Sequence, residues 1–199
     1  TLRSSSAASD VYKRQLPIIG ANLWYKPMST SNSLLDQDVT EALKLLAEWN
    51  GEMNEHLPEP LIFYSWMRNL QQRLTQDELG VLSKEFGNFE PIFLERVFRD
   101  IEGAAQWCDV LQSIPVEKCE TIAELALYDA ISELRERYKL KMNSLRWGDV
   151  HIAMHDHLTL GHIPLLNLLI NLRQSVSGGD YTLMRGLSSG NEYNPFENV

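Results

Sequence analysis

Apolar side chains recur every three or four residues over several stretches of the chain, and this spacing predicts a mostly helical protein. The first such stretch follows Asp36 and Asp38, which suit a helix N-terminus. It leads to Gly51, a residue suited to the left-handed position after a helix. The longest helix is predicted from Cys119 to Leu140. Together these patterns predict a helical region over about residues 36–143.

Further helices are predicted between these two, and the first two of them have a recognisable start signal. Pro58 or Pro60 suits the first turn of a helix over roughly Leu61–Leu74, whose aromatic side chains surround one turn and indicate burial among several elements. Thr75, with Glu three residues later, matches a capping box and predicts the start of another short helix. One more helix is predicted over Asn88–Asp100.

The pattern changes near the end of the chain. Gly178 and Gly179 favour a turn, and the side chains of Tyr181–Arg185 alternate as those of a strand do. This places a strand region at about residues 178–187. The sequence therefore predicts an α+β fold that is mostly helical and leads into a strand.

The first segment, TLRSSSAASDVYKRQ, is unlike the rest of the chain. It resembles the translated read-through of a sequencing adaptor, so we assign residues 1–15 to a non-native leader and exclude them from the fold. A natural, disordered and Ser-rich N-terminus is the alternative. Residues 16–199 are assigned to one partial domain. Because the chain begins without Met and ends soon after the predicted strand, we expect an internal piece of a longer protein.

The composition of the chain argues against some classes of binding partner. The chain has 199 residues, enough to bury a core, and a formal net charge of -9. The acidic balance argues against a nucleic-acid or anionic-membrane surface, because phosphate binding requires clustered Lys and Arg. No run of about eighteen apolar residues is present, so no membrane span is predicted.

Histidines concentrate in residues 146–162, RWGDVHIAMHDHLTLGH, a segment called the corner below. His151 and His155 are spaced i and i+4, so on a helix they would share one face, as two zinc ligands can. Asp149 or Asp156 would be a candidate third ligand. The segment lacks the internal Glu of the HExxH motif, since an isoleucine follows His151.

Three interpretations of the corner stay open: a packed structural turn, a direct contact with substrate, and a zinc site. We prefer the structural turn, with Trp147, Gly148, His151 and His155 as its members. An indole buries a large area, and its N–H requires a partner. No serine has a GxSxG setting. We therefore predict no catalytic residue and no metal ligand in this chain, and substrate-binding residues are unknown.

Cys108 and Cys119 form a candidate disulfide across a short loop. If the geometry permits the bond, it would contribute roughly 2 to 3 kcal/mol of stability by restricting the unfolded chain. A disulfide is favoured in an exported protein, and two reduced core thiols are favoured in a cytosolic one.

The order of these segments resembles that of a known family. The helix end ELRERY, then RWGDVHIAMHDH, then SGGDYTLMRG and NPF, resembles the C-terminal half of the β-chain of penicillin acylases, also called penicillin amidases. EALKLLAEWNGEM is similar to that family's helix ending in Leu-x-x-Trp-Asp/Asn-Gly. The resemblance covers residues 16–199 and is most specific at Trp49–Gly51, Trp147–His151 and Gly178–Gly186.

This resemblance implies an N-terminal-nucleophile hydrolase of αββα fold that acts on carbon–nitrogen bonds in linear amides and is linked to antibiotic metabolism. In that family a self-processed Ser at the β-chain N-terminus attacks the amide, and its own α-amine serves as base. That Ser, the oxyanion Asn and the calcium ligands lie upstream of the part represented here. The resemblance therefore assigns no catalytic residue and no cofactor to this chain, and it implies calcium only for the full-length parent.

The resemblance also implies partners and a location for the parent enzyme. Its α-chain and the missing parts of its β-chain would pack against this piece, and its substrate would be a small-molecule amide such as a β-lactam or an acyl-homoserine lactone. The parent would be periplasmic or secreted, and the isolated chain would be inactive. The alternative function is a non-catalytic helical interaction domain.

Overall fold

The computed structural model describes residues 11–12, 14–15, 17–19, 34–86, 90–110, 116–155, 163 and 171–182. The α-helices are α1 (Leu34–Glu48), α2 (Glu59–Leu79), α3 (Pro91–Phe98) and α4 (Cys119–Tyr138). Short 3-10 helices span Gly80–Phe86, Ile101–Cys108, Met142–Ser144 and Trp147–Asp149. The strands are β1 (Ile152–His155) and β2 (Leu172–Ser175). Residues 11–12, 14–15 and 17–19 are also helical.

Helix α2 lies at the centre of the core. Every residue from Pro60 to Arg68 is buried, so the helix is covered on all sides of its first turns. It packs on α4, where the small side chains of Ala123, Ala126 and Ala130 are fully buried and let the two helices approach closely. Trp66 fills part of this interface, and its Nε1–H donates to the Ala123 carbonyl at 2.9 Å.

Ion pairs also join α2 to α4. The Arg68 Nη2 donates to both carboxylate oxygens of Glu133, at 2.8 and 3.1 Å, and the Arg68 side chain is only 10% exposed. The Arg73 Nε donates to Asp129 at 2.5 Å. Glu133 therefore belongs to the helix interface, although the charged sequence around it is typical of a solvated helix end.

The capping-box prediction at Thr75 is wrong, because α2 continues through this residue to Leu79. Thr75 is 3% exposed, and its hydroxyl donates to the Gln71 carbonyl one turn earlier at 2.9 Å. This internal bond satisfies the hydroxyl within the helix, so it is not needed as a cap. Burial in the core overrides the local signal.

The predicted strand does not begin at Tyr181. Gly178 has a φ of 102°, and the Gly179 N–H donates to the Thr182 hydroxyl at 2.8 Å, so residues 178–182 form a turn. Residues 183–187 lie outside the described part. The sheet instead pairs β1 with β2, antiparallel, from Ile152 opposite Ser175 to His155 opposite Leu172.

The exclusion of residues 1–15 from the fold needs correction, since two residues of this predicted leader lie in the core. Tyr12 is fully buried and Gln15 is 2% exposed. The Tyr12 ring packs on Phe63 with centroids 5.5 Å apart, and Gln15 donates to the Pro91 carbonyl at 3.1 Å. The origin of the leader and the domain boundary after residue 15 stay predictions.

The fold class is confirmed: the chain is a mostly helical α+β structure with a small antiparallel sheet. Its placement in the αββα architecture stays a prediction. None of the helices in the described ranges combines the length and the apolar character needed to cross a bilayer.

Candidate functional site

Trp147 is the central residue of the corner. It begins the 3-10 helix Trp147–Asp149, and its side chain is fully buried. The indole stacks on the His151 imidazole, with centroids 4.5 Å apart and planes inclined by 16°, and it packs near the Tyr64 ring at 5.7 Å. Its Nε1–H donates to the Gly178 carbonyl at 2.8 Å. The Trp147 ring therefore packs against other rings, and its N–H is hydrogen-bonded, entirely within the protein.

His151 is bonded to the main chain on the opposite side of the turn. Its Nδ1 lies 2.9 Å from the Val176 carbonyl oxygen, which only accepts hydrogen bonds, so Nδ1 carries the proton. The His151 carbonyl in turn accepts from the Val176 N–H at 3.1 Å. The imidazole is fully buried. This geometry suits an orienting residue better than a proton shuttle open to substrate.

Gly148 is required by the close approach of neighbouring segments. A Cβ at this position would lie 2.9 Å from the Glu55 Cβ and 3.1 Å from both the Glu55 carbonyl oxygen and the Ser175 Cβ. The Gly148 N–H donates to that Glu55 carbonyl at 2.8 Å, and the Ser175 hydroxyl donates to the Gly148 carbonyl at 2.7 Å. The glycine therefore allows two backbone segments to meet.

The segment 53–57, between α1 and α2, is hydrogen-bonded to the corner and to Gly178. The Met53 carbonyl accepts from the Gly178 N–H at 2.7 Å, and the Leu57 carbonyl accepts from the Trp147 N–H at 2.9 Å. This segment could not be predicted from the sequence, because it contributes main-chain carbonyl groups, which every residue type has.

The phenol of Tyr64, which lies beside Trp147, is bonded to a buried carboxylate, that of Asp180. The Tyr64 hydroxyl donates to the Asp180 Oδ2 at 2.7 Å, and Asp180 is 7% exposed. Beside them, the Tyr181 N–H donates to the Tyr12 hydroxyl oxygen at 3.2 Å. Burial, with the Asp180 charge nearby, raises the pKa of the Tyr12 phenol well above its usual range. Asp180 is not among the site residues predicted from the sequence.

The structure arranges the other histidine-segment residues differently from the helical interpretation. His155 ends strand β1, so a shared helical face with His151 is wrong. Asp149 is exposed. Asp156, the other candidate third ligand, lies outside the described residues, as do His157 and His162 of the same segment. Within the described ranges, no group of three or more His, Cys, Asp or Glu side chains is arranged to hold a metal ion.

Cys108 and Cys119 are joined in a disulfide, with sulfurs 1.99 Å apart and Cα atoms 5.0 Å apart. The bond links the end of the 3-10 helix Ile101–Cys108 to the first residue of α4. Cys108 is 2% exposed. The loop is also closed by the Val110 N–H, which donates to the Glu117 carboxylate at 3.1 Å.

A family model described as penicillin amidase matches residues 4–198, which is nearly the whole chain. The chain belongs to the penicillin amidase family. This confirms the resemblance drawn from Trp49–Gly51, Trp147–His151 and Gly178–Gly186. Comparison with curated proteins gives no match. Membership in the penicillin amidase family identifies the chemistry, at the level of the family, as amide hydrolysis.

Proposed function

We propose that this chain is the scaffold part of a self-processing hydrolase that cleaves carbon–nitrogen bonds in linear amides and acts in antibiotic metabolism. The observation that carries the proposal is the family match over residues 4–198. Two properties of His151 support a scaffold role: it is buried, and its Nδ1–H is used in a bond to the main chain. Penicillin-acylase-like chemistry then requires a nucleophile from elsewhere.

The proposed reaction is acyl transfer through a covalent intermediate. A Ser at a self-generated N-terminus attacks the amide carbonyl, its own α-amine takes the hydroxyl proton, and the substrate amine leaves with a proton. Water then hydrolyses the acyl ester. We place this Ser, its oxyanion donors and any calcium site in polypeptide that precedes this sequence. No residue of the present chain is proposed to touch the reacting atoms, and the isolated chain is expected to be inactive.

The proposed role of the corner is to fix the turn between the helical layer and the sheet. Its support is the convergence of three distant segments, 53–57, 147–151 and 175–180, through main-chain hydrogen bonds around the Trp147 and His151 rings. A misplaced sheet edge would disturb a catalytic group held on the same sheet, because a displacement of about 1 Å at a reacting atom is costly.

An exported parent, periplasmic or secreted, is part of the same proposal. The Cys108–Cys119 bond supports it, since disulfides persist in oxidising compartments and are rare in the cytosol. The proposed partner is the rest of the precursor, and the proposed ligand is a small-molecule amide.

Self-processing provides the test of this function. The chain is produced alone and joined to the coding region that precedes it in its gene, and both are incubated with a chromogenic acyl anilide. We expect hydrolysis only from the longer protein, together with a newly exposed N-terminal Ser identified by mass spectrometry. Replacing that Ser with Ala should abolish both cleavage and turnover. Hydrolysis by the isolated chain, or by an uncleaved precursor, would contradict the proposal.

The role of His151 is tested in the same longer protein. We expect His151→Ala to lower the soluble yield and the processed fraction, while the relative rates on two different acyl anilides stay the same. His56→Ala is the matched control, because the His56 side chain is 82% exposed. A His151→Ala protein of unchanged yield and melting temperature that has lost most of its turnover would instead make His151 a catalytic residue.

A further inference from the structure

Asn50 and Gly51 follow the end of α1, where the chain turns towards α2. Gly51 has a φ of 80°, the left-handed conformation that ends many helices and that favours glycine. Asn50 is exposed, so water reaches its side-chain amide. The turn therefore requires a glycine directly after an exposed amide.

The Asn50 amide is held close to the main chain that follows it. The Glu52 N–H donates to the Asn50 Oδ1 at 2.8 Å, which forms an Asx turn. When a nucleophile attacks the amide carbon, negative charge develops on Oδ1, and a donor at this distance stabilises that charge as the donors of an oxyanion hole do. The local fold therefore activates the Asn50 amide carbon towards attack.

The main-chain nitrogen of Gly51 is the nearest nucleophile along the sequence. Its attack on the Asn50 side chain is intramolecular and closes a succinimide ring, and Gly51 has no side chain to hinder the approach. Gly51 is buried, yet within the described residues its N–H has no hydrogen-bond acceptor. The nitrogen is therefore not held in another hydrogen bond there.

Asn54, in the same loop, has a similar Asx turn but a different neighbour. Its Oδ1 accepts from the His56 N–H at 2.9 Å. The residue that follows it, Glu55, carries a side chain, and the Glu55 N–H donates to the Ser177 hydroxyl at 3.0 Å. A donor to the amide oxygen is thus present at both asparagines, whereas an unhindered nitrogen follows only Asn50.

We propose that Asn50–Gly51 is a self-modification site, at which the folded chain converts Asn50 to aspartate and isoaspartate. The Gly51 nitrogen forms a bond to the Asn50 Cγ, the Cγ–Nδ2 bond breaks, and ammonia leaves with the proton that the Gly51 nitrogen gives up. Water then opens the succinimide at either carbonyl, which gives aspartate or isoaspartate. This proposal is independent of the hydrolase chemistry.

The two products should differ in their effect on the corner. Aspartate keeps an oxygen for the Glu52 N–H. Isoaspartate adds a methylene group to the main chain upstream of Met53, whose carbonyl accepts from the Gly178 N–H at 2.7 Å. We therefore expect faster hydrogen exchange at the Gly178 amide in the isoaspartate form, and unchanged exchange in Asn50→Asp.

Peptide mapping of the full chain by mass spectrometry tests the proposal. The chain is incubated at mildly alkaline pH, both folded and unfolded in guanidinium chloride, and the acid formed at each asparagine is measured over time. In the folded chain we expect Asn50 to convert on the order of 100-fold faster than Asn54, since a nucleophile misplaced by about 1 Å loses that much rate. A species that has lost ammonia without gaining water should precede the acid.

Asn50→Gln is the matched control, because it keeps an amide but moves the amide carbon one methylene group farther from the Gly51 nitrogen. It should form no acid at this position, and acid formed there as fast as in the unmodified chain would exclude attack by Gly51. The proposal is overturned if Asn50 and Asn54 convert at the same rate in the folded chain. It is also overturned if Asn50 converts much more slowly in the folded chain than in guanidinium chloride, since the fold would then protect the amide.

Discussion

Trp66 and Trp147 show how differently two regions of the protein are stabilised. Both indoles are fully buried, and each donates its Nε1–H to a main-chain carbonyl, at 2.9 Å to Ala123 and at 2.8 Å to Gly178. Trp66 lies between two helices that satisfy their own backbone groups. Trp147 lies in the corner, where backbone groups are satisfied by other segments.

This difference predicts different modes of failure. When a side chain is lost between α2 and α4, a cavity is left but the helical hydrogen bonds remain. When the corner is displaced, buried carbonyl and N–H groups lose their partners, and each unsatisfied group costs about 1 to 3 kcal/mol. Between α2 and α4, stability should therefore be lost mainly through the cavity that a truncated side chain leaves. In the corner, it should be lost mainly through displaced backbone groups.

The largest expected effect comes from truncating the two indoles. Trp66→Ala should lower the free energy of unfolding by about 3 to 5 kcal/mol, and Trp147→Ala should lower it by a similar amount. Only Trp147→Ala should also accelerate hydrogen exchange at the amides of Val176 and Gly178. Urea denaturation and exchange mass spectrometry measure the two quantities, with Trp66→Phe as a control that keeps a ring. Identical exchange patterns in both Ala variants would remove the distinction between the regions.

Removal of the disulfide should have the next largest effect. It tests whether the helices can be destabilised without a change in the corner. Replacing Cys108 and Cys119 together with Ser should lower the free energy of unfolding by about 2 to 3 kcal/mol, because the unfolded chain gains freedom. Exchange rates at Gly148 and Val176 should not change. The unmodified chain with its disulfide reduced is the control. An effect concentrated at these two amides would show that the disulfide stabilises the corner instead.

Gly148→Ala tests the corner through sterics alone. The new Cβ would meet Glu55 and Ser175 at 2.9 to 3.1 Å, which we expect to cost roughly 1 to 3 kcal/mol. Gly103→Ala is the matched control, since that glycine has a φ of 78° and open space around its Cβ position. The control should lose about 1 kcal/mol through its own backbone strain. Faster exchange near Val176 should appear only in Gly148→Ala, and its absence would argue against tight backbone packing.

The smallest effect concerns pH and lies at the C-terminal end of α2. Partial desolvation and a hydrogen bond with Asp77 raise the pKa of Glu78 from 4.5 to about 7. Because the folded pKa is the higher one, Glu78 stabilises the fold fully below pH 4.5, and this contribution is lost as pH rises through 7. Solvent screening keeps it small, since Glu78 is exposed.

Glu78→Gln should reduce the change in melting temperature between pH 4.5 and 7, measured by calorimetry. Glu136→Gln, which removes an exposed charge on α4, is the control. A slope that persists in Glu78→Gln would assign the pH dependence to another group. A reduced slope would identify Glu78 of α2 as a group that makes stability depend on pH, and it would identify no such group in the corner.

The helices could be read from the sequence because their spacing is a local signal. Helix α4 spans Cys119–Tyr138, close to its predicted range. The signal failed at Thr75, where packing of α2 into the core overrides a capping pattern. Strand β2 left no signal at all, since all four of its side chains are exposed and show no alternation.

The corner could be predicted only in part. Trp147 and His151 stand out by residue type, and Gly148 by its place beside the indole. Their partners are carbonyl groups of residues such as Val176 and Gly178, and any residue type provides a carbonyl group. The burial of Tyr12 was missed because the composition of its segment suggested that it lies outside the fold.

The hydrogen bonds that join distant segments at the corner also set a sequence of events during folding. The bond from the Glu55 N–H to the Ser177 hydroxyl spans 122 residues, compared with 57 for the bond from the Trp66 Nε1–H to the Ala123 carbonyl. Contacts of greater span close later, because more chain entropy is lost in closing them. A ribosome therefore completes α4 well before it delivers Ser177. Until then the Met53 carbonyl, which pairs with the Gly178 N–H, stays bonded to water, although the Glu55 and Leu57 carbonyls can already pair with the N–H groups of Gly148 and Trp147.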